Sequence, residues 1–197
     1  MKFFSKLRGT SMSGVAMLQC RAAELEQAVA ALAIKPTFIS GYVSPHVDID
    51  PIARAVTARF PGVPVMLCST AGELCGDNES LYCRTGDSWD RVVIQCFDAS
   101  LIERAQVVAI PLGCEDLRRG KPEIGVRERV ERIARQIGSA RVDFEIDHRD
   151  TIAQVLFDGL SASESFFMEA LFHRHLLQPL STVSMSMPFR FTAWKKN

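Results

Sequence analysis

The feature that most constrains the fold of this chain is a strand, a helix and a second strand in succession. Residues 37–44 and 63–68 are short apolar runs bounded by proline or glycine, which predicts two strands. Between them, apolar residues recur at helical spacing: Ile52, Val56 and Phe60. Asp50, which proline follows, is predicted to cap this helix. Two strands joined by a helix pair in parallel, so the chain is predicted to be an α/β protein.

Further elements extend this pattern along the chain. An earlier helix is predicted from apolar residues at three- and four-residue intervals: Leu18, Ala22, Leu25, Val29 and Leu32. Strands 91–97 and 105–112 have no helix between them and are predicted to be antiparallel neighbours. A later helix has the apolar stripe Val126, Val130, Ile133 and Ile137, a charged and solvated opposite face, and Gly138 as its C-cap. Strand 151–157 and a last helix through Leu176 follow. The expected fold is a mixed sheet with parallel β-α-β units, an antiparallel pair and helices packed on it.

Composition excludes two classes of partner. The chain has 23 Lys and Arg residues against 23 Asp and Glu residues, so no net charge is available to hold nucleic acid or an anionic membrane surface. Uncharged apolar runs of about 18 residues, the length of a membrane-spanning helix, do not occur. The basic amino terminus is followed by an apolar stretch, residues 14–18, that is too short for a signal peptide. A cytoplasmic protein is predicted.

The six cysteines are predicted to be reduced and mostly buried. Disulfide frameworks belong to short exported chains, and this chain has neither property. Cysteine pairs with C-x-x-C spacing do not occur, so no metal site is predicted.

Three polar segments each follow the carboxyl end of a predicted strand, and this position makes them the candidate site. Ligands bind there in open α/β sheets, because loops and helix amino termini meet at this edge with unpaired N–H groups. Small residues would let a carboxylate, phosphate or amide approach the backbone, and hydroxyls would add hydrogen bonds. The predicted ligand-binding residues are Ser44, His46 and Asp48, then Cys68, Ser69, Thr70, Ala71, Gly72 and Glu73, and finally Asp158, Gly159 and Ser161.

Some of these residues have structural alternatives. Ser69 and Thr70 could cap a helix, and Gly72 could serve a turn, which is as good an explanation from spacing alone. For Ser161 and Glu164 the structural explanation, a capping box of the last helix, is preferred.

Two other functions stay open from the residues. A hydrolase could use Ser69 with His46 and Asp48, or a thiol enzyme could use Cys68, although the chain has no G-x-S-x-G elbow to present a nucleophilic serine. One of the two histidines of the last helix could also ligate a haem iron, although a solvated histidine is the simpler explanation. Binding without catalysis is therefore the leading hypothesis.

Taken together, residues 44–48, 68–73 and 158–164 resemble the FIST family in order and separation, and the middle hexapeptide is the most specific part. The resemblance spans about residues 36–176. It implies a sensory domain of bacterial signalling that binds a small ligand such as an amino acid and works with a histidine kinase or a cyclic-dinucleotide enzyme. A subset of the family is similar to haem-containing nitric-oxide sensors, so haem is an alternative ligand, but no haem-ligand motif aligns with this chain.

The chain departs from the family pattern after Leu177. Family members usually continue into a segment similar to Gly-Gly-Ser-Ala-Gly-Asp and a C-terminal half, whereas this chain ends at Asn197. The departure predicts a truncated protein, with a FIST N-terminal-type sensory domain in residues 1–177 and a divergent, loosely ordered tail in residues 178–197.

Overall fold

The computed structural model describes residues 8–12, 14–72, 88–147, 149–157, 163–173 and 190–196. The chain is an α/β protein that divides into two compact units, the first ending at Arg104 and the second running from Ala105 to Lys196. Parallel and antiparallel strands occur together in the first sheet, and helices accompany both sheets, so the predicted fold class is confirmed.

The first unit is built on a five-stranded sheet with the strand order β1-β2-β5-β3-β4. In chain order its elements are β1 (Arg8–Met12), β2 (Val15–Arg21), a 3-10 turn (Ala22–Glu24), α1 (Leu25–Ala30), β3 (Pro36–Val43), α2 (Ile49–Arg59), β4 (Val65–Ser69) and β5 (Arg91–Asp98). Strands β3 and β4 are parallel, and the other neighbouring strands are antiparallel.

The unit β3–α2–β4 forms as predicted. Ile52, Val56 and Phe60 are buried in the apolar cluster that α1 and α2 form with one face of the sheet. On that face Gly41 leaves room for the side chains of Leu67 and Ile94. A β-carbon at position 41 would clash with both. The predicted cap was wrong by two residues, because the carboxylate of Asp48 accepts the hydrogen bond from the Asp50 N–H and α2 begins earlier.

The helix predicted from Leu18 to Leu32 was wrong in its first half. Val15–Arg21 is strand β2, in which Leu18 and Cys20 alternate into the apolar cluster. The three- and four-residue spacing of the apolar residues arises because the 3-10 turn and α1 follow the strand without a loop. Pairing of the whole strand with β5 stabilises the extended backbone over the helical alternative.

The second unit contains a three-stranded sheet of order β6-β8-β7. Its elements are β6 (Ile102–Val108), which begins just before the boundary, α3 (Glu115–Arg118), α4 (Val126–Ser139), β7 (Thr151–Leu156), α5 (Glu164–His173) and β8 (Arg190–Lys196). The predicted pairing of β5 with β6 was wrong, because β2 and β3 already occupy both edges of β5.

Helix α4 places Val130 and Ile133 in an apolar cluster with β7 and α5. Gly138 lies inside the helix rather than at its C-cap, which is Ala140. Strand β8 belongs to the tail that was expected to be loosely ordered; it pairs with β7 along its length. The order of the tail as a whole stays a prediction. In the part of the chain that the structure describes, no helix is long and apolar enough to cross a membrane.

Candidate functional site

Two of the three predicted segments lie side by side at one edge of the sheet. Strands β3 and β4 are parallel, with Val43 opposite Ser69. The ladder continues past the strand ends, because the Thr70 N–H donates to the Val43 carbonyl at 2.9 Å. Residues 44–48 and 68–72 therefore leave adjacent strands at the same edge. The remaining predicted residues lie outside the described ranges: Glu73, Asp158, Gly159 and Ser161.

Residues 44–47 form a tight turn, and Ser44 is the residue that makes it. Its carbonyl accepts from the Val47 N–H at 3.0 Å, so it closes the turn with proline at the favoured second position. The Ser44 hydroxyl replaces that carbonyl in the sheet ladder and accepts from the Arg91 N–H at 3.3 Å. One serine thus continues the pairing with β5 and starts the turn that presents His46.

His46 and Trp89 form an aromatic pair at this edge, with ring centroids 6.2 Å apart and planes tilted by 44°. His46 is exposed and Trp89 is half-buried. Trp89 has φ of +44°, a left-handed conformation that is unfavourable for a bulky side chain. A strained backbone conformation of this kind persists only where the surrounding structure holds it. Such residues often occur at functional sites.

The predicted hydroxyl pair does not share one face of the sheet. Successive side chains of a strand point to opposite faces. Val65 and Leu67 of β4 pack on the α1 and α2 side, so Ser69 lies on that side and Thr70 on the other. Cys68 is only 1% exposed, and Ala71 and Gly72 follow at the surface. The thiol is a buried sheet residue, and of the two hydroxyls only Thr70 lies on the face of Ser44.

A row of four polar side chains crosses the end of the sheet on that face, one from each of four strands or strand ends. In order across the sheet they are Arg21, Arg91, Ser44 and Thr70, and we call them the end row. Arg21 and Arg91 are direct partners in the β2–β5 ladder. The Ser44 N–H donates to the Arg91 carbonyl at 2.9 Å. Arg21 is exposed and Arg91 is half-buried, whereas Ser44 and Thr70 are buried, at 0% and 5% exposed.

Arg21, Arg91 and Trp89 also lie at this edge of the sheet, and the sequence analysis did not include them among the candidate site residues. They come from the carboxyl end of β2 and the amino end of β5, which reach the same edge because β5 runs antiparallel to β3. The pattern used to find the site considered only residues that follow strands. The signal that could have found Trp89 and Arg91 is Ser-Trp-Asp directly before a strand whose first residue is Arg91.

A second polar cluster lies in the second unit, where Arg129 of α4 is 2% exposed. Its Nη2 donates to Asp116 Oδ2 at 2.5 Å, and its Nη1 donates to the Gly113 carbonyl at 2.8 Å. Asp116 Oδ2 also accepts from the Glu123 N–H at 2.8 Å. The hydrogen bond from Arg129 lowers the pKa of the Asp116 carboxyl from 3.8 to about 2. This pair ties residues 113–123 to α4.

The two histidines of the last helix that were predicted as possible haem ligands, His173 and His175, lie outside the described side chains. The side chains that are described do not fit a haem site. Haem needs an axial histidine or thiolate facing an apolar pocket, and His46, the histidine whose side chain is described, is exposed. Burial raises the pKa of both Cys20 and Cys96 to about 12, so these are thiols rather than ligating thiolates. Among the described residues no group of three or more His, Cys, Asp or Glu side chains is placed to hold a metal ion.

The fold and the site define an α/β domain with an open sheet, whose polar loops meet at the carboxyl edge of two parallel strands. The sequence profile of the FIST N domain matches residues 37–180. The chain therefore belongs to the FIST N domain family of sensory domains in signal transduction, and the resemblance seen in the sequence is confirmed. No curated protein is significantly similar to the chain.

Proposed function

We propose that this chain is a small-ligand-binding sensory domain of bacterial signal transduction, and that its ligand binds at the carboxyl edge of β3 and β4. The observation that carries the proposal is the placement of residues 44–48 beside residues 68–72 at that edge, joined by the hydrogen bond from the Thr70 N–H to the Val43 carbonyl. Ligands of open α/β sheets bind at this position. The proposed ligand is a small molecule such as an amino acid, as the family resemblance implies.

Binding without a chemical step is the simplest function of this edge. Cys68 is buried, and Ser69 lies on the face of the sheet that α1 and α2 cover. A nucleophile needs access to substrate and a base within hydrogen-bond reach. We propose that the bound ligand is returned unchanged and that its occupancy is passed, in the cytoplasm, to a histidine kinase or a cyclic-dinucleotide enzyme.

The test is a thermal-shift screen of small metabolites with the full chain, followed by calorimetry on each compound that stabilises it. A ligand at one hundred times its dissociation constant should add about 2.7 kcal/mol to the free energy of unfolding. Thr70→Val should weaken binding by about 1 kcal/mol, because it removes one hydroxyl at constant shape. Ser69→Ala is the matched control, since it removes a hydroxyl from the opposite face.

Two results would contradict the proposal. The first is equal loss of affinity in Ser69→Ala and Thr70→Val, which would place the ligand elsewhere. The second is recovery of a chemically altered compound after incubation, which would indicate an enzyme.

A further inference from the structure

The end row carries positive charge that the described residues neutralise only in part. Arg21 and Arg91 stand directly opposite each other in the β2–β5 ladder, and like charges in this position destabilise a sheet. Arg21 has an acidic partner, because its Nε lies 3.6 Å from Asp90 Oδ2. The ion pairs among the described residues do not include Arg91. The excess charge is therefore centred on Arg91.

Arg91 also has an unused hydrogen-bond donor. Its Nε is buried and has no partner in the described part of the chain. An unpartnered buried donor loses its hydration without compensation, so the position is unfavourable unless something else accepts the bond. Arg91 as a whole is only half-buried, so part of the residue is accessible to a small ligand.

The groups around Arg91 are arranged to complete a binding site. The hydroxyl of Ser44 fixes the backbone of Arg91 by accepting from its N–H at 3.3 Å. Two residues earlier, the strained backbone of Trp89 holds its ring beside the exposed His46 ring. The anchored arginine supplies charge, and the aromatic pair lies at the same edge, with Trp89 two residues before Arg91.

We propose that Arg91 binds an oxyanion group of the small ligand, a carboxylate or a phosphate, with Arg21 adding a second positive charge. A guanidinium presents parallel N–H groups that match the two oxygens of either anion. The bound anion supplies the acceptor that Arg91 Nε lacks among the described residues, and it screens the repulsion between the two arginines. The inference rests on the proposed function and names the chemical class that its site recognises.

The experiment uses the full chain with sodium acetate and with sodium phosphate, each compared with sodium chloride at equal ionic strength. Unfolding temperature and Trp89 fluorescence, the latter in a Trp194→Phe background, report binding. At least one of the two oxyanions should stabilise the protein beyond chloride. Stabilisation by acetate alone identifies a carboxylate, by phosphate alone a phosphate, and by both an oxyanion in general.

Arg91→Gln should weaken the binding of that anion by about tenfold to a hundredfold, the loss expected for a hydrogen bond to a charged group. Arg54→Gln is the matched control. Arg54 is an exposed arginine on α2, on the other side of the sheet, so its loss should leave the affinity unchanged. If Arg91→Gln does not fold, Arg91→Lys keeps the charge and the stem but not the parallel donors, and it should bind several-fold more weakly.

The inference is overturned if neither oxyanion stabilises the wild type beyond chloride, or if Arg91→Gln or Arg91→Lys binds as tightly as the wild type. Its failure can be separated from failure of the proposed function. Suppose that a neutral ligand binds equally to wild type and Arg91→Gln but more weakly to Thr70→Val. This result would support the proposed sensory site and contradict the inference that Arg91 binds an oxyanion.

Discussion

Arg129 and Arg91 show two different uses of an arginine that is withdrawn from solvent. Arg129 is 2% exposed, and its side chain bonds to Asp116 and to the Gly113 carbonyl. Arg91 is half-buried, stands opposite another arginine and leaves its buried Nε without a partner among the described residues. A matched buried charge holds elements together, whereas an unmatched one is a candidate for contact with a ligand. The contrast separates structural from functional charge within one chain.

The largest test of this contrast is Arg129→Met. Removing one partner of a buried ion pair leaves the other as an uncompensated charge, and such changes cost about 3–5 kcal/mol. The free energy of unfolding should fall by that amount in urea denaturation. Arg132→Met is the matched control on the same helix, because its pair with Glu128 is 55% and 52% exposed and should contribute under about 1 kcal/mol.

A similar small loss of unfolding free energy in Arg129→Met and Arg132→Met would contradict the structural role of Arg129. A second variant sharpens it, since Arg129→Met combined with Asp116→Leu replaces the pair by apolar side chains. Buried pairs replaced in this way are often as stable as before. The double variant should therefore recover most of the stability that Arg129→Met loses.

Acid should act differently on the wild type and on Arg129→Met. The hydrogen bond from Arg129 lowers the pKa of Asp116 from 3.8 to about 2 in the folded protein. A lowered folded-state pKa contributes stability that is present above the unfolded pKa and is lost as pH falls toward the folded one. In Arg129→Met, burial should raise the pKa of the unpaired carboxyl instead.

The stability difference between the two proteins should therefore narrow as pH falls from about 5 toward 2. Urea midpoints measured across this range check the expectation. A difference that is constant with pH would mean that Asp116 is not the group that Arg129 stabilises.

The smallest expected effect is that of Arg91→Gln without ligand. Removing one of two opposed arginines should leave stability unchanged or raise it by about 0.2–1 kcal/mol, the scale of a cross-strand pair. The gain should shrink with added salt, which screens charges near the surface. Urea denaturation at low and high salt measures both. A loss above about 1 kcal/mol, the upper end of the cross-strand scale, would make Arg91 structural and would remove the contrast with Arg129.

The sequence predicts the β3–α2–β4 unit because the apolar residues of each element follow a single periodicity, that of a strand or that of a helix. Proline and glycine also mark where these elements end. The prediction fails at Leu18, because strand β2 is followed without a loop by the 3-10 turn and α1. The alternating period of the strand and the helical period then merge in the sequence. The pairing of β5 was also missed, since which strands neighbour one another depends on contacts between distant parts of the chain.

The polar residues of the candidate site could also be predicted only in part, because some of them reach the site through pairing of distant strands. Segments 44–48 and 68–72 could be predicted, because polar residues after strands mark the carboxyl edge. Arg91 is the first residue of its strand, and it reaches that edge only because β5 runs antiparallel to β3. Arg129 was counted with the solvated face of α4, although it lies three residues after Val126 and four before Ile133, on the apolar stripe. That position was the available signal for a buried charge.

The central place of β5 also affects how the first unit folds. Strands β2 and β3 both pair with β5, and they do not pair with each other. Both are synthesised long before it, so α1 and α2 have no complete sheet to cover until Arg91–Asp98 has left the ribosome. Contacts between residues far apart in sequence slow folding, and unpaired strand edges favour aggregation meanwhile. We therefore expect this unit to fold late during translation, in a single step that begins when β5 arrives.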